Sequence, residues 1–404
     1  MPVLETTSNL LAELQSARTE SDRLFSILTS EALYERPIAQ RHRVIFYIGH
    51  LDGFDSIQIC REALDLPSPD RQFDSLFQAG IDPDSSHLPQ DTPADWPSLD
   101  QVKAYVDGCR AHVDKHLDQA SEDVVSMALE HRLMHMETLA YMFHNFDYGL
   151  KKIAAAERLE QNKRSSPANR FIEVPCGDAV LGKTHNNVFG WDNEFEETVR
   201  RVPAFRIQQN SVTNGDYLSF VEGGAPLPHF WVKRGGDILY RGMFEEIALP
   251  LDWPVYVTQR EADAYARSMG YSLPSEEQFH RAAYPEGEAF PWGDLPPSAS
   301  HGNFDFRRWD PEPVDATPQG GSRLGVNQLV GNGWQWTSTP FGPLPGFQPK
   351  STYPGYSANF FDGEHYVLKG GSARTAARLL RRSFRNWFRR DYPYMYATFR
   401  CVEN

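Results

Sequence analysis

Apolar and polar positions change rhythm once along the chain. From Leu10 to about Leu150, apolar residues recur at helical spacing in four long runs, 8–29, 42–64, 98–117 and 122–146, which predict the helices of an antiparallel bundle. Between the second and third runs, residues 66–97 are rich in Pro, Asp and Ser and read as a long crossover loop. After the fourth, residues 156–169 are polar, contain Ser-Pro and read as a linker. From Phe171 the text breaks into short alternating runs (170–175, 199–208, 366–371) separated by Gly, Pro and Asn, with dense aromatics and two helical stretches at 258–270 and 274–284. The pattern predicts a helical domain over 1–155 and a mixed, loop-rich domain over 170–404.

Composition narrows the function classes. A chain of 404 residues with 40% hydrophobic and 23% charged residues can fill two cores. Its net charge of −14 would repel a polyphosphate backbone or an anionic membrane, so neither nucleic acid nor membrane is an expected partner. No apolar run approaches the ~20 residues of a bilayer span, and residues 1–22 lack a basic-then-apolar leader, so a cytoplasmic location is expected. Cys60, Cys109, Cys176 and Cys401 share no metal-knuckle spacing and read as buried free thiols.

The sharpest chemical signal is His131, His135 and Glu137 in the fourth helical run. Residues four apart lie about 40° apart around a helix, so both imidazoles can address one ion. They fall in the middle of an apolar stripe that includes Val124, Ala128, Leu139 and Met142, and so face the bundle interior. Glu137 is rotated by about 200° from His135 and cannot join them. A third ligand must come from another helix, and His50, set among Phe46, Tyr47 and Phe54, is the best candidate. For a single histidine, a hydrogen-bonded buried ring is the commoner outcome; a centred pair shifts the balance to a metal. Three neutral imidazoles suit iron, zinc, nickel or copper and leave positions open for substrate. A second pair, His112 and His116, sits at the edge of its stripe and reads as a solvated flank, and His42 reads as a residue that caps or orients a helix start.

These residues, with Phe46-Tyr47 three positions before His50, resemble the DinB-type bundle of the EgtB-type sulfoxide synthases. The second half is similar to the formylglycine-generating-enzyme (sulfatase-modifying factor) domain, a C-type-lectin-like fold. Its landmarks are Val212–Tyr217, Trp253-Pro254-Val255, Leu273–Glu276, Phe290–Gly293, Gly331–Trp336, Leu368–Ser372 and Phe399-Arg400. The resemblance covers nearly the whole chain and implies an α+β protein: a DinB-like four-helix bundle followed by a C-type-lectin-like domain. It further implies a non-haem Fe(2+) enzyme that uses O2 as co-substrate to join a chalcogen to the imidazole of hercynine. His50, His131 and His135 would then hold the iron. Tyr353 or Tyr356 would be the catalytic proton or electron donor, and Asn386 and Trp387 would help hold hercynine. Arg385 and Tyr47 complete the expected substrate-binding set; the faces of Trp387 and Tyr356 would suit the trimethylammonium, and the carboxylate wants a guanidinium fork. Residues 369–400 carry +8, leaving −22 on the rest, which suggests a local anion site. The many Asp and Asn residues of the second half would also suit a structural Ca2+, although no spacing specifies one.

The sequence departs from the ergothioneine pattern at the crossover. Residues 72–102 contain no Lys or Arg and carry Asp74, Asp82, Asp84, Asp91, Asp95 and Asp100, where thiol-using relatives present arginines. Leu133-Met134 stand where those enzymes usually carry Gln before the second ligand. Both departures resemble the EgtB-related selenoneine synthases (SenA-type), which implies a neutral selenosugar as donor. The alternatives are an ergothioneine-type synthase using a cysteine-derived thiol, and a DinB-type metal-dependent thiol transferase that needs no O2. Formylglycine chemistry is disfavoured because Cys401 has no paired cysteine near it in sequence.

Overall fold

The computed structural model describes residues 2–78, 88–152, 164–186 and 188–403. The chain separates into two units, 1–158 and 159–404.

The first unit is helical: α1 (Pro2–Ser26), α2 (Val44–Asp55), α3 (Arg71–Phe77), α4 (Leu99–His116) and α5 (Glu122–His144). Helix α2 packs on α4, α1 on α5, and α2 also on α5. Ser98 opens α4 with a reciprocal cap: its main-chain N–H donates to Gln101 Oε1 at 3.0 Å, and its hydroxyl accepts from the Gln101 N–H. Helix α2 widens at its end into a π-helical turn, Ser56–Ala63. The crossover, expected to be loop throughout, contains α3, whose first N–H groups are capped by Asp70. The sequence conceals this helix because Asp70 looks like one more loop acid. Gly49 explains how closely α3 approaches α2: a Cβ there would meet the Phe77 ring at 2.6 Å.

Helix α5 is buried nearly all round, not along a stripe; Glu130, Arg132 and Glu137 lie inside with the apolar residues. Arg132 is fully buried and donates to Asp52 (2.6 Å), Asp55 (2.7 Å) and Ser21 (3.0 Å). Arg110 adds two hydrogen bonds to Asp52. Burial alone would raise the Asp52 carboxyl, but Arg132, Arg110 and Arg18 outweigh it and hold the group below its ordinary value. This ionic core ties α2 to α5.

The second unit is assembled from small sheets. A four-stranded sheet has β1 (Trp334–Pro340) beside β2 (His365–Lys369), with β3 (Asn386–Arg389) and a short parallel strand, Ala397–Thr398, at its edges. Phe171–Val174, Phe205–Gln208 and Val402–Glu403 form a second sheet that brings the C-terminus against the unit's start. Among the described residues three α-helices interrupt the strands, Asn214–Glu222, Gln259–Ser268 and Glu276–Ala283, one more than the pattern predicts. The extra one, Asn214–Glu222, carries a legible start signal, the Thr213 and Asp216 capping box. Three of the four cysteines are buried as expected, whereas Cys176 is exposed; none is paired. The expected linker lies partly outside the described residues, as do Asp82 and Asp84. Among the described residues, no helix is long and apolar enough to cross a membrane.

Candidate functional site

In the helical unit, His50 on α2 and His131 and His135 on α5 converge. The His135 Nε2 lies 3.0 Å from His131 Nε2 and 3.3 Å from His50 Nε2, and all three ligand atoms fall within 4.8 Å of one another. The rings are 3–5% exposed. Phe54 stacks on His131 at 3.5 Å between ring centroids, Phe46 stacks on His50 at 5.0 Å, and the Tyr47 ring lies 6.3 Å from His135. Tyr47 is buried, and its hydroxyl accepts the His42 main-chain N–H at 3.3 Å. His42 itself stacks on Phe46 ahead of α2 and so packs against the helix start.

Burial lowers all three imidazoles, His50 to about 4 and the other two well below their ordinary range. They are therefore neutral, each keeping one ring nitrogen with a lone pair available to a metal. His50 Nδ1 lies 2.7 Å from the Phe77 carbonyl, which assigns the proton to Nδ1 and leaves Nε2 bare. Three desolvated imidazole nitrogens crowded this closely fit a bound divalent transition metal with room for further ligands. Among the described residues no other group of three His, Cys, Asp or Glu side chains converges in this way, so the composition-based Ca2+ expectation has no matching carboxylate cluster. His112 and His116 lie half-buried on α4, ring against ring at 5.3 Å, apart from this group.

The crossover acids are less free than their sequence suggests. Asp91 is paired with Arg36 (2.5 Å) and Arg43 (3.0 Å) and accepts from the Trp96 indole. Asp74 is buried, bonded to the Tyr105 hydroxyl and Arg61. Asp95 accepts from Thr92. The expected repulsion of an anionic donor therefore loses Asp74 and Asp91 as uncompensated charges.

In the second unit, Tyr356 and Trp387 share an aromatic cluster. Trp191 stacks on Tyr356 at 3.8 Å, and Tyr356 meets Trp387 edge-on at 5.3 Å. Trp387 in turn stacks on Phe341 at 4.3 Å. Tyr353 lies 6.1 Å from Tyr356, and burial raises its phenol above the ordinary value. Asn386 opens β3 and turns its side-chain carbonyl onto the Trp387 N–H at 2.9 Å. Arg385 is 3% exposed and forms a two-pronged pair with Glu276 (2.9 and 3.0 Å), plus a bond to the Gly342 carbonyl. The basic segment behaves likewise elsewhere: Arg381 pairs with Glu194, and Arg400 is buried among main-chain carbonyls. Residues missed by sequence reasoning are Phe77, Arg132, Asp192 and Glu194; for the last two, the spacing of Trp191 and Glu194 across a one-turn cap was the available signal.

Residues 155–404 match the sulfatase-modifying factor enzyme 1-like domain, and residues 13–144 match the DinB superfamily. The chain is 32% identical to the hercynine oxygenase of Mycolicibacterium smegmatis, covering 95% of each protein. It is 34% identical to that of Mycolicibacterium thermoresistibile over 79% of this chain and 77% of the relative. Ergothioneine biosynthesis protein 1 of Neurospora crassa is 27% identical over 94% of this chain, which spans just over half, 56%, of that longer protein. A DinB-type bundle holding three converging histidines, followed by a sulfatase-modifying-factor-like unit and matched end to end by a bacterial relative, places this chain in the hercynine oxygenase (EgtB-type) family.

Proposed function

We propose that the protein catalyses iron(II)- and O2-dependent oxidative bond formation between the imidazole carbon of hercynine and a chalcogen donor. The observation that carries this reading is the convergence of the His50, His131 and His135 Nε2 atoms in a dry pocket of neutral imidazoles. Bound iron would supply the one-electron chemistry with O2. In the net change, the ring C–H and the donor chalcogen–H bonds break and a carbon–chalcogen bond forms. One oxygen atom ends on the chalcogen and the other leaves as water.

This chain's own residues supply the rest. His50 is presented as a lone-pair ligand by its Nδ1 bond to Phe77. Tyr47 packs beside His135 and limits the space around the three rings. Tyr353, whose phenol is protonated at neutral pH, is the first candidate proton donor, and Tyr356, 6.1 Å from it ring to ring, is the second. The faces of Tyr356 and Trp387 suit a trimethylammonium, which cannot donate hydrogen bonds. Arg385, spent on Glu276, contributes to substrate binding through the position of Asn386 and Trp387 rather than by direct contact.

For the donor we favour a selenosugar, because residues 72–102 offer hydroxyl-binding Asp, Ser and Gln and no Lys or Arg. A second reading, a cysteine-derived thiol, is favoured by Arg36 and Arg43, which stand against Asp91. Mass spectrometry of the product from iron-loaded protein, hercynine and competing selenosugar, cysteine and γ-glutamylcysteine under air decides between them. A carbon–selenium product is expected; exclusive carbon–sulfur product would overturn the selenium reading. Turnover without O2 would overturn the oxidative reading in favour of thiol transfer.

A further inference from the structure

The second unit contains a buried acidic turn that the chemistry above leaves without a task. Trp191 is followed by the one-turn helix Asp192–Glu194, all of it buried. The Glu194 carboxylate is fully enclosed and closes the turn by accepting the Trp191 N–H at 2.8 Å. It also receives Arg381 through two bonds (2.8 and 2.5 Å) and the Ser383 hydroxyl at 2.6 Å. Ser383 lies three residues before Asn386, so Glu194 fixes the approach to the strand that carries Asn386 and Trp387.

Its neighbour reaches another segment. Asp192 accepts the Ser357 hydroxyl at 2.5 Å, and both residues are at most 4% exposed. Ser357 directly follows Tyr356, whose ring Trp191 stacks upon. Lys350, at the start of the same segment, sets its ammonium over the Phe189 ring at 4.8 Å. Residues 189–192 thus hold 350–357 by a ring stack, a cation–π contact and a short hydrogen bond. The partners are 165 residues apart for Asp192 and 187 or more for Glu194, so these contacts join remote stretches of chain.

A carboxylate completely withdrawn from water needs a compensating role, and ionic pairs of this kind fix geometry more surely than they add stability. We infer that the Trp191–Glu194 turn is a positioning hub: Asp192 sets the Tyr353–Tyr356 segment, and Glu194 sets the Asn386–Trp387 strand. The division of labour rests on the proposed roles of those tyrosines and of Trp387. The hub carboxylates are spent on Arg381, Ser383 and Ser357, so its residues position rather than catalyse.

The test uses the iron-loaded protein of 404 residues with hercynine and, in separate runs, a selenosugar, cysteine or γ-glutamylcysteine as donor. Ser357→Ala and Asp192→Ala are expected to lower kcat about threefold and tenfold respectively, with KM for hercynine within about twofold. Ser383→Ala, which loosens the other arm, is expected to raise KM for hercynine at least threefold with little change in kcat. Near-ultraviolet circular dichroism reads the Trp191–Tyr356 stack directly, with Trp191→Phe as the reference for its loss. The signal should fall in Asp192→Ala and Ser357→Ala and persist in Ser383→Ala. An unchanged near-ultraviolet signal in both Asp192→Ala and Ser357→Ala overturns the hub, whatever the kinetics. A lost signal with kcat untouched, together with full activity of Tyr353→Phe and Tyr356→Phe, keeps the positioning and overturns the tyrosine assignment instead.

Discussion

The Nδ1 of His50 lies 2.7 Å from the carbonyl oxygen of Phe77, so a helix of the crossover presents a backbone acceptor to one candidate metal ligand. Gly49, next to His50, makes this possible, because the space a side chain would fill there is taken by the Phe77 ring. Gly49→Ala should therefore push α3 away. We expect about 1–3 kcal/mol of lost stability from overpacking and metal binding weakened on the order of tenfold. Chelator competition against the wild type measures the second effect, and an alanine variant of native affinity would contradict the link.

His131→Ala and His135→Ala should each abolish stoichiometric metal loading while leaving the helical content intact, since the rings face one another rather than the backbone. Metal analysis of the purified variants is the measurement. Full occupancy in both would remove the metal centre from consideration.

Arg132 is the charge on which the α2–α5 contact depends. Arg132→Met leaves Asp52 and Asp55 buried without that partner and should cost about 3–5 kcal/mol. Adding Asp55→Asn removes one of the stranded charges and should restore part of the loss. Urea denaturation of the metal-free proteins compares the three chains; equal midpoints would refute an energetic role for the pair.

The Glu194 carboxyl is held below its ordinary value of 4.5: burial would raise it, but Arg381, Ser383 and the Trp191 N–H prevail. A depressed carboxyl contributes stability that is fully present above the unfolded value and disappears as pH falls through the folded one. The stability difference between wild type and Glu194→Gln should accordingly be largest near neutrality and shrink below about pH 4.5. A difference that grows on acidification would reverse the sign of the argument.

The legible parts of this molecule are those written in local spacing. His131 and His135 announce a shared face because one helical turn separates them, and the capping boxes at Ser98, Thr258 and Ser275 mark helix starts within four residues. Contacts with the main chain leave no such trace: Phe77 acts through its carbonyl, which any residue possesses. Long-range ion pairs are equally silent. The basic run from Lys369 to Arg400 suggests an anion site by composition, yet Arg385 and Arg381 meet Glu276 and Glu194, residues 109 and 187 positions away. Asp91 misleads in the opposite sense, since Arg36 and Arg43 lie outside the stretch in which its charge was counted.

Helix α5 has almost no outside, and that restricts how such a protein can diversify. Nearly every substitution along it changes a packed volume or strands a buried charge, so the helix that presents two of the three imidazoles tolerates little experiment. Among the described residues, the crossover reaches His50 through the Phe77 carbonyl, a main-chain group that leaves its side chains free to vary. New donor chemistry therefore has somewhere to arise without the metal-holding framework being rebuilt each time.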